Sequence, residues 1–198
     1  MPSKAAPKKA KKTPKLVLGL SGSPRRGGNT DALVNEVLKG AKKAGARTRF
    51  INVASLKIRP CVACYYCAAH HGVCAIKDDM AKINDALAQA DVWVFGSPVY
   101  WFNMSAQLKT VVDRLFPFAV DPCCSPLRGK TAAVVTTSGD PHARVMSAPI
   151  FDSFEQSFEF LGVKFAGRLA AQGVDKKDVA RRWNNFKPAR ALGAKLAK

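Results

Sequence analysis

Apolar residues recur along the chain with two different periods, and the order of the two patterns predicts an α/β protein. Short apolar or alternating runs, typical of strands, cover residues 15–21, 48–54, 91–97, 130–138 and 163–170. Between these runs, apolar residues return every three or four positions, as they do on one face of a helix. The helical faces are Leu33, Val34, Val37, Leu38 and Ala41; Met80, Ile83 and Leu87; Met104, Leu108, Val111, Val112 and Leu115; Phe151, Phe154, Phe158 and Leu161; and Val179, Trp183 and Phe186, after which Pro188 is expected to end or kink the helix.

This alternation of strands and helices predicts a doubly wound parallel sheet with helices on both faces. Five strands in this order suit the flavodoxin-like arrangement. The 198 residues, 47% of them hydrophobic, are enough for a single domain over residues 15–198. Residues 1–14 are rich in lysine and lack apolar periodicity, so we expect a disordered tail. Ligands of such sheets bind beyond the carboxyl ends of the strands, which directs attention to the loops after the first, third and fourth strands.

The basic excess is concentrated at the two ends of the chain. Of the net charge of +18, residues 1–15 contribute +6, residues 175–198 another +6, and the long body 16–174 only +6. A lysine-rich tail is typical either of a solvated arm or of a salt-sensitive contact with nucleic acid or anionic surfaces. Because no aromatic residue lies among the lysines to stack on bases, a solvated tail is favoured over nucleic-acid binding through residues 1–15.

Hydropathy indicates no membrane insertion. No stretch approaches the roughly 18 consecutive apolar residues of a membrane helix, and the early apolar run at residues 16–20 is too short for the core of a signal peptide. We therefore expect a cytoplasmic protein. Thiols in that compartment stay reduced unless they bind metal or perform redox chemistry.

The first of the three loops, SGSPRRGGNT at residues 21–30, has the composition of a phosphate site. It offers hydroxyl, amide and guanidinium groups and three glycines, and it runs directly into a helix whose start is indicated by Asn29, Thr30 and Asp31. The loop lacks the G-x-G-x-x-G dinucleotide fingerprint and the G-x-x-x-x-G-K-[ST] loop of ATPases. A phosphate is favoured over a polar turn without a ligand.

The second loop, GSPVYWFNMSAQLK at residues 96–109, places three aromatic residues where the ring of an aromatic cofactor could rest. The alternative is that these aromatics cover the core at the end of a strand. The third loop, TTSGD at residues 136–140, adds small and polar groups at the next strand end. By itself this third loop is an ordinary turn.

Four of the six cysteines lie within fourteen residues, in the pattern Cys61-x2-Cys64-x2-Cys67-x6-Cys74. A compact C-x2-C-x2-C run is typical of ligands to a 4Fe–4S cluster, and the later fourth cysteine suits a single cluster. Structural zinc sites usually present two separated pairs of ligands, so zinc ranks below the cluster, and reduced thiols without metal rank between them. The adjacent His70 and His71 are expected to be exposed rather than ligating.

Other chemistry-bearing residues receive no site role from the sequence. Cys123 and Cys124 could form a vicinal disulfide, but two thiols without a role are favoured. Asp113 and Arg114 are expected to form charge pairs along their helix, and His142 has no visible partner. We assign no catalytic acid, base or nucleophile.

The first two loops and the cysteines between them resemble the iron–sulfur flavoproteins, within the broader NADPH-dependent FMN reductase group of flavodoxin-like proteins. The resemblance covers about residues 15–140. It implies an FMN site and a 4Fe–4S cluster on the four cysteines at positions 61–74. It also implies a homodimer or homotetramer whose subunits cover the flavin pockets. The FMN phosphate would be held by Ser21, Ser23, Arg25, Asn29 and Thr30, the ring or ribityl chain by Pro98, Val99, Tyr100, Trp101 and Asn103, and the third side by Thr137, Ser138 and Gly139.

The resemblance leads to an electron-transfer flavoprotein as the first functional hypothesis, with NAD(P)H or a donor protein as the source of electrons. A second hypothesis is a cluster-free NAD(P)H-dependent reductase of flavins or quinones, in which the cysteines are structural. A third is a binding protein for nucleic acid or anionic surfaces that acts through the basic ends. The sequence carries no second nucleotide fingerprint, so it leaves the donor, the acceptor and the substrate open.

Overall fold

The computed structural model describes residues 13–120, 125–172 and 186–198. Five strands form one sheet: β1 (Leu16–Ser21), β2 (Arg47–Asn52), β3 (Val92–Pro98), β4 (Thr131–Thr137) and β5 (Lys164–Ala171). The helices are α1 (Asn29–Lys43), α2 (Tyr66–Ala69), α3 (Met80–Gln89), α4 (Ala106–Asp113), α5 (Ala143–Phe160) and α6 (Lys187–Leu196). Single 3₁₀ turns cover Val53–Ser55 and Phe116–Ala119. The five predicted strands are confirmed, with ends that differ by one or two residues.

All neighbouring strands are parallel, in the order β2-β1-β3-β4-β5. This order confirms the predicted flavodoxin-like arrangement. The register aligns Ser21 at the end of β1 with Asn52 of β2 and with Gly96 of β3. The loops that follow these strands therefore leave the sheet at one edge.

Two apolar layers cover the two faces of the sheet, as a doubly wound fold requires. Helices α1 and α6 pack on one face, where Val34, Val37 and Leu196 are buried. Helices α3, α4 and α5 pack on the other face, around a buried aromatic group that includes Phe95 and Phe158. The predicted apolar stripes are therefore the core-facing sides of the helices that the structure describes.

The end of the chain differs from the sequence prediction. Val179 and Trp183 lie outside the described residues, as do Cys123, Cys124 and residues 1–12 of the predicted tail. Pro188 does not end the described helix but lies in its first turn, where a missing N–H costs nothing. The sequence pattern missed α6 because its closest contacts with α1 are made by glycines rather than by large apolar residues.

Within the described ranges, no helix has the length and apolar composition needed to cross a membrane.

Candidate functional site

A cavity of about 570 Å³ opens at the carboxyl edge of the sheet, where all three predicted loops meet. Its wall contains nine of the residues expected at the site: Ser23, Arg25, Asn29, Thr30, Pro98, Val99, Tyr100, Thr137 and Gly139. Arg26 and Gly28 line it as well, although they were not among the predicted residues. The predicted residues outside the wall are Ser21, Trp101, Asn103 and Ser138.

One wall of this cavity is the start of α1, a helix of 15 residues. The N-cap is Gly28, and no side chain caps the helix there, unlike the capping expected from Asn29, Thr30 and Asp31. The positive end of the helix dipole and the guanidinium groups of Arg25 and Arg26 therefore border the same space. This arrangement suits a phosphate group.

Asp31 organises the loop from beneath, a role that the sequence analysis did not assign. Its buried carboxylate accepts hydrogen bonds from the Ser21 hydroxyl, the Gly27 backbone N–H at 2.7 Å and the Asn52 side-chain amide at 3.0 Å. Because the Ser21 hydroxyl donates to Asp31, Ser21 stabilises the loop from behind the cavity wall. An acidic residue in the first turn of the helix that follows the predicted phosphate loop is the signal that could have identified this role.

The third loop is joined to the first by a hydrogen bond. The Thr30 and Thr137 hydroxyl oxygens lie 2.8 Å apart in a buried position. Ser138 is also buried, and its hydroxyl accepts a hydrogen bond from the Asp140 backbone N–H at 3.1 Å. Thr137 and Gly139 thus border the cavity, whereas Ser138 shapes the turn behind them.

The aromatic loop after β3 forms a tight hairpin turn. Tyr100 and Asn103 exchange two backbone hydrogen bonds, and the two residues between them have positive φ angles, 50° at Trp101 and 61° at Phe102. Such turns favour asparagine and glycine, so two bulky aromatics there are strained. The turn leaves Trp101 93% exposed, while Tyr100 borders the cavity.

A second cavity, of about 320 Å³, is lined by all four cysteines of the predicted cluster. All four are free thiols; Cys61 and Cys64 are exposed, and Cys67 and Cys74 are partly buried. Burial raises the pKa of Cys67, and the neighbouring Cys74 and Cys64 add to the increase, although backbone hydrogen bonds oppose it. The fold therefore places around one cavity four cysteines that the sequence spreads over fourteen residues.

The backbone between these cysteines is strained in a way that is common at ligand-binding loops. Ala63, Tyr65 and His71, none of them glycine, have φ angles between 48° and 54°. Both histidines are exposed and neither lines the cavity, as predicted; the His70 ring stacks on Tyr66 with centroids 3.6 Å apart. Thiols are thus the ligand groups that this loop presents.

Arg114 closes the loop at its base, which corrects the prediction that it pairs along its own helix. It is almost fully buried and forms an ion pair with Asp78 at 3.0 Å, whereas Asp113 does pair along the helix, with Lys109. Its guanidinium also donates to the backbone carbonyls of Arg59 and Ile76. The two ends of the cysteine loop are therefore joined through one side chain.

The comparison with known families identifies the chain. The profile of the NADPH-dependent FMN reductase family matches residues 16–155, which include both cavities. The chain belongs to this family. The name of the family refers to the NADPH-dependent reduction of FMN.

Two curated relatives in archaea are iron–sulfur flavoproteins. One, from Methanocaldococcus jannaschii, is 42% identical over 104 residues, which are 52% of this chain and 53% of that protein. Another, from Archaeoglobus fulgidus, is 28% identical over 180 residues, which are 91% of this chain and 78% of that protein. The chain thus matches only about half the length of the more similar of these two relatives.

Among solved structures, the chain resembles a Trp repressor binding protein from Bacillus subtilis. The TM-score is 0.66 at 26% sequence identity, and the match covers 90% of this chain and 99% of that one. The likeness covers more of the chain than the segment that the family profile matches. It agrees with the flavodoxin-like architecture built above from strand order and register.

Proposed function

We propose that this chain is an electron-transfer flavoprotein that binds FMN in the larger cavity and one 4Fe–4S cluster on Cys61, Cys64, Cys67 and Cys74. The observation that carries the proposal is that the four cysteines line one cavity, while the arginine and hydroxyl side chains suited to a phosphate line another. The names of the archaeal relatives support the same pair of cofactors. The electron donor could be NAD(P)H or another protein.

The residues of the larger cavity fit FMN in both size and chemistry. Arg25, Arg26 and the uncapped start of α1 would hold the phosphate, with hydroxyl groups of Ser23 and Thr30 beside it. Pro98, Val99 and Tyr100 would face the ring system, because they form the less polar wall. Bound FMN supplies an acceptor for one or two electrons. The chain's own contribution is to orient the cofactor and to shield one of its sides.

The cysteine cavity fits a cluster better than a single zinc ion. Zinc would require all four sulfurs about 2.3 Å from one point. Among the described residues, no three His, Cys, Asp or Glu side chains are arranged to hold a metal ion, so neither group has a preformed ligand set and the comparison rests on size. A cluster is larger, and a cavity of about 320 Å³ between the thiols gives it room. A bound cluster supplies a one-electron carrier, whose potential depends on nearby charges and hydrogen bonds.

Helix α4 separates the two cavities within one chain. Its N-cap, Ser105, donates to the Gly22 carbonyl at 2.6 Å, beside the phosphate loop, and Arg114 at its other end lines the cysteine cavity. The nine helical steps from Ser105 to Arg114 span about 13 Å. We therefore propose that a homodimer or homotetramer forms, in which a cysteine cavity of one subunit lies near the flavin cavity of another.

Exposed apolar residues around the cysteine cavity support this assembly. Val62 and Tyr65 are each 67% exposed, and Phe116 is 42% exposed, although all three line the cavity. Apolar surface of this kind is typical of a covered interface. A second subunit would exclude water from the cluster.

Anaerobic purification followed by assays of flavin, iron and acid-labile sulfide tests the proposal. We expect one FMN and about four iron and four sulfide per chain. Cys67→Ser should lower iron and sulfide but not flavin, because its site is separate. The double substitution Cys123→Ser/Cys124→Ser is the matched control and should leave all three values unchanged. Iron and sulfide that are equally high in Cys67→Ser would contradict the assignment of the cluster.

A cluster-free NAD(P)H-dependent reductase of FMN or quinones is the second candidate. It is favoured by the lack of a compact single-ion site within the described ranges and by the exposure of Cys61 and Cys64. In that case the anaerobic protein would contain flavin without iron or sulfide. It would also oxidise NADPH at the same rate after Cys67→Ser.

A further inference from the structure

The buried guanidinium of Arg114 has one donor that the protein leaves unused. Its terminal nitrogens donate to the Asp78 carboxylate and to two carbonyls, those of Arg59 at 2.8 Å and Ile76 at 3.2 Å. Its Nε is buried and has no hydrogen-bond partner. Among the described residues, only two other buried side-chain atoms lack a partner. Since an unpaired buried N–H is costly, a partner at this position is expected when the site is complete.

The surroundings of Arg114 indicate where that partner lies. Arg114 lines the cysteine cavity together with Cys74. The Arg114 guanidinium therefore borders the same space as the cysteines, while its terminal nitrogens bind the Asp78 carboxylate.

The cavity also needs a positive charge. Four cysteines that ligate one cluster do so as thiolates, which repel one another, and Asp113 adds a carboxylate to the same wall. Arg114 is the only cation among the described residues that line this cavity. Its charge is fixed, because a guanidinium does not lose its proton in proteins.

We propose that Arg114 is a positioning residue that fixes the ends of the cysteine loop and donates its free Nε–H to an anionic sulfur of the cluster site, which raises the reduction potential of the bound cluster. Hydrogen bonds to cluster or cysteine sulfurs stabilise the more negative, reduced state. The inference rests on the proposed function, because it requires a cluster on the four cysteines.

Two substitutions at the ion pair distinguish this role from simple loop anchoring. Arg114→Gln removes the cation and the Nε–H, so the midpoint potential should fall by a tenfold loss of electron affinity or more, about 59 mV for one electron. Arg114→Lys keeps the charge but lacks the planar guanidinium, so its midpoint potential should fall by less. Asp78→Asn breaks the same ion pair but removes a negative charge, so the potential should stay or rise. If the pair only anchors the loop, Arg114→Gln and Asp78→Asn should shift the potential in the same direction.

Electron paramagnetic resonance during a dithionite titration measures these potentials on the holoprotein, with iron and sulfide assayed for each variant. Arg168→Gln removes one arginine from an exposed ion pair and is the charge-matched control, with no shift expected. A wild-type protein without iron would overturn the proposed function and this inference with it. A loaded wild type whose potential equals those of Arg114→Lys and Arg114→Gln would overturn only the role of Arg114. If Arg114→Gln does not fold, the signs for Arg114→Lys and Asp78→Asn decide.

Discussion

Single residues in this protein have roles that their sequence neighbours do not indicate. Asp31 lies in the first turn of α1, whose start borders the larger cavity. Its carboxylate nevertheless accepts hydrogen bonds from Ser21, Gly27 and Asn52. Arg114 follows a helical stripe but joins two distant ends of a loop. In both cases a charged side chain is buried, and its partners come from other segments.

Glu36 gives a prediction of pH dependence at this scale. Burial raises the pKa of Glu36, but hydrogen bonds from Lys39 and Arg190, both at 2.6 Å, lower it below the ordinary value of 4.5. A carboxylate with a lowered pKa stabilises the fold above the pKa of the unfolded chain and loses this effect as the pH falls through the folded value. At pH 7, we expect Glu36→Gln to cost about 1–2 kcal/mol of unfolding free energy.

Urea unfolding of wild type and Glu36→Gln between pH 7 and pH 3 measures this effect. The difference between them should be constant above about pH 5 and shrink below pH 4.5. Glu155→Gln, in an exposed pair with Arg168, is the control and should cost less than about 0.5 kcal/mol. If the difference in unfolding free energy between wild type and Glu36→Gln grew as the pH fell, the pKa of Glu36 would be raised rather than lowered in the folded protein.

The strained turn at Trp101 and Phe102 gives a second residue-scale prediction. Replacing these residues by Asn and Gly should raise the melting temperature, because both φ angles suit the new residues. Relief of strain is worth roughly 1–3 kcal/mol at each of the two positions. If the exposed aromatic serves the flavin site or the assembly, the same variant should bind FMN more weakly or self-associate less. Calorimetry, flavin titration and sedimentation measure the three quantities; a variant that is stabilised and otherwise unchanged would contradict a functional role for the turn.

At the scale of whole elements, the strands and long helices followed their apolar patterns because those patterns are what the two layers of core bury. The exception is α6, which packs on α1 through glycines. A Cβ added at Gly193 would lie 1.9 Å from the Val37 carbonyl oxygen, and one at Gly40 would lie 2.1 Å from that of Arg190. Backbone thus meets backbone, and apolar periodicity carries no signal of such a contact.

Gly193→Ala tests this helix contact. Although alanine favours helices, its methyl group would collide with backbone of α1, so we expect a loss of about 1–3 kcal/mol or more. Chemical denaturation measures the loss. Ala191→Ser, at an exposed position of α6, is the control and should change stability by less than about 0.5 kcal/mol. A gain in stability for Gly193→Ala would mean that α6 does not approach α1 this closely.

At the scale of the whole molecule, the two cavities lie at opposite ends of α4, and the apolar rim of the cysteine cavity is exposed in a single chain. The proposed partner subunit would explain both features. Tyr65→Asp places a charge on this rim, so it should weaken self-association and make the proposed cluster more sensitive to oxygen. Sedimentation at several concentrations and iron content after exposure to air measure the two effects. Val145→Asp, an exposed apolar residue on α5, is the control; equal effects of both substitutions would contradict a specific interface at the rim.

The sequence alone determined the sheet, its strand order and the three loops of the larger cavity, because periodicity and turn composition are local signals. It also identified four closely spaced cysteines, which the structure places around one cavity, and their role as cluster ligands stays a prediction. Only the tertiary structure decided that Ser21 lies behind the cavity wall, that Arg114 pairs with Asp78, and that glycines join α1 to α6. These features depend on contacts between residues distant in sequence, where burial sets both the partners of a polar group and the space for a side chain.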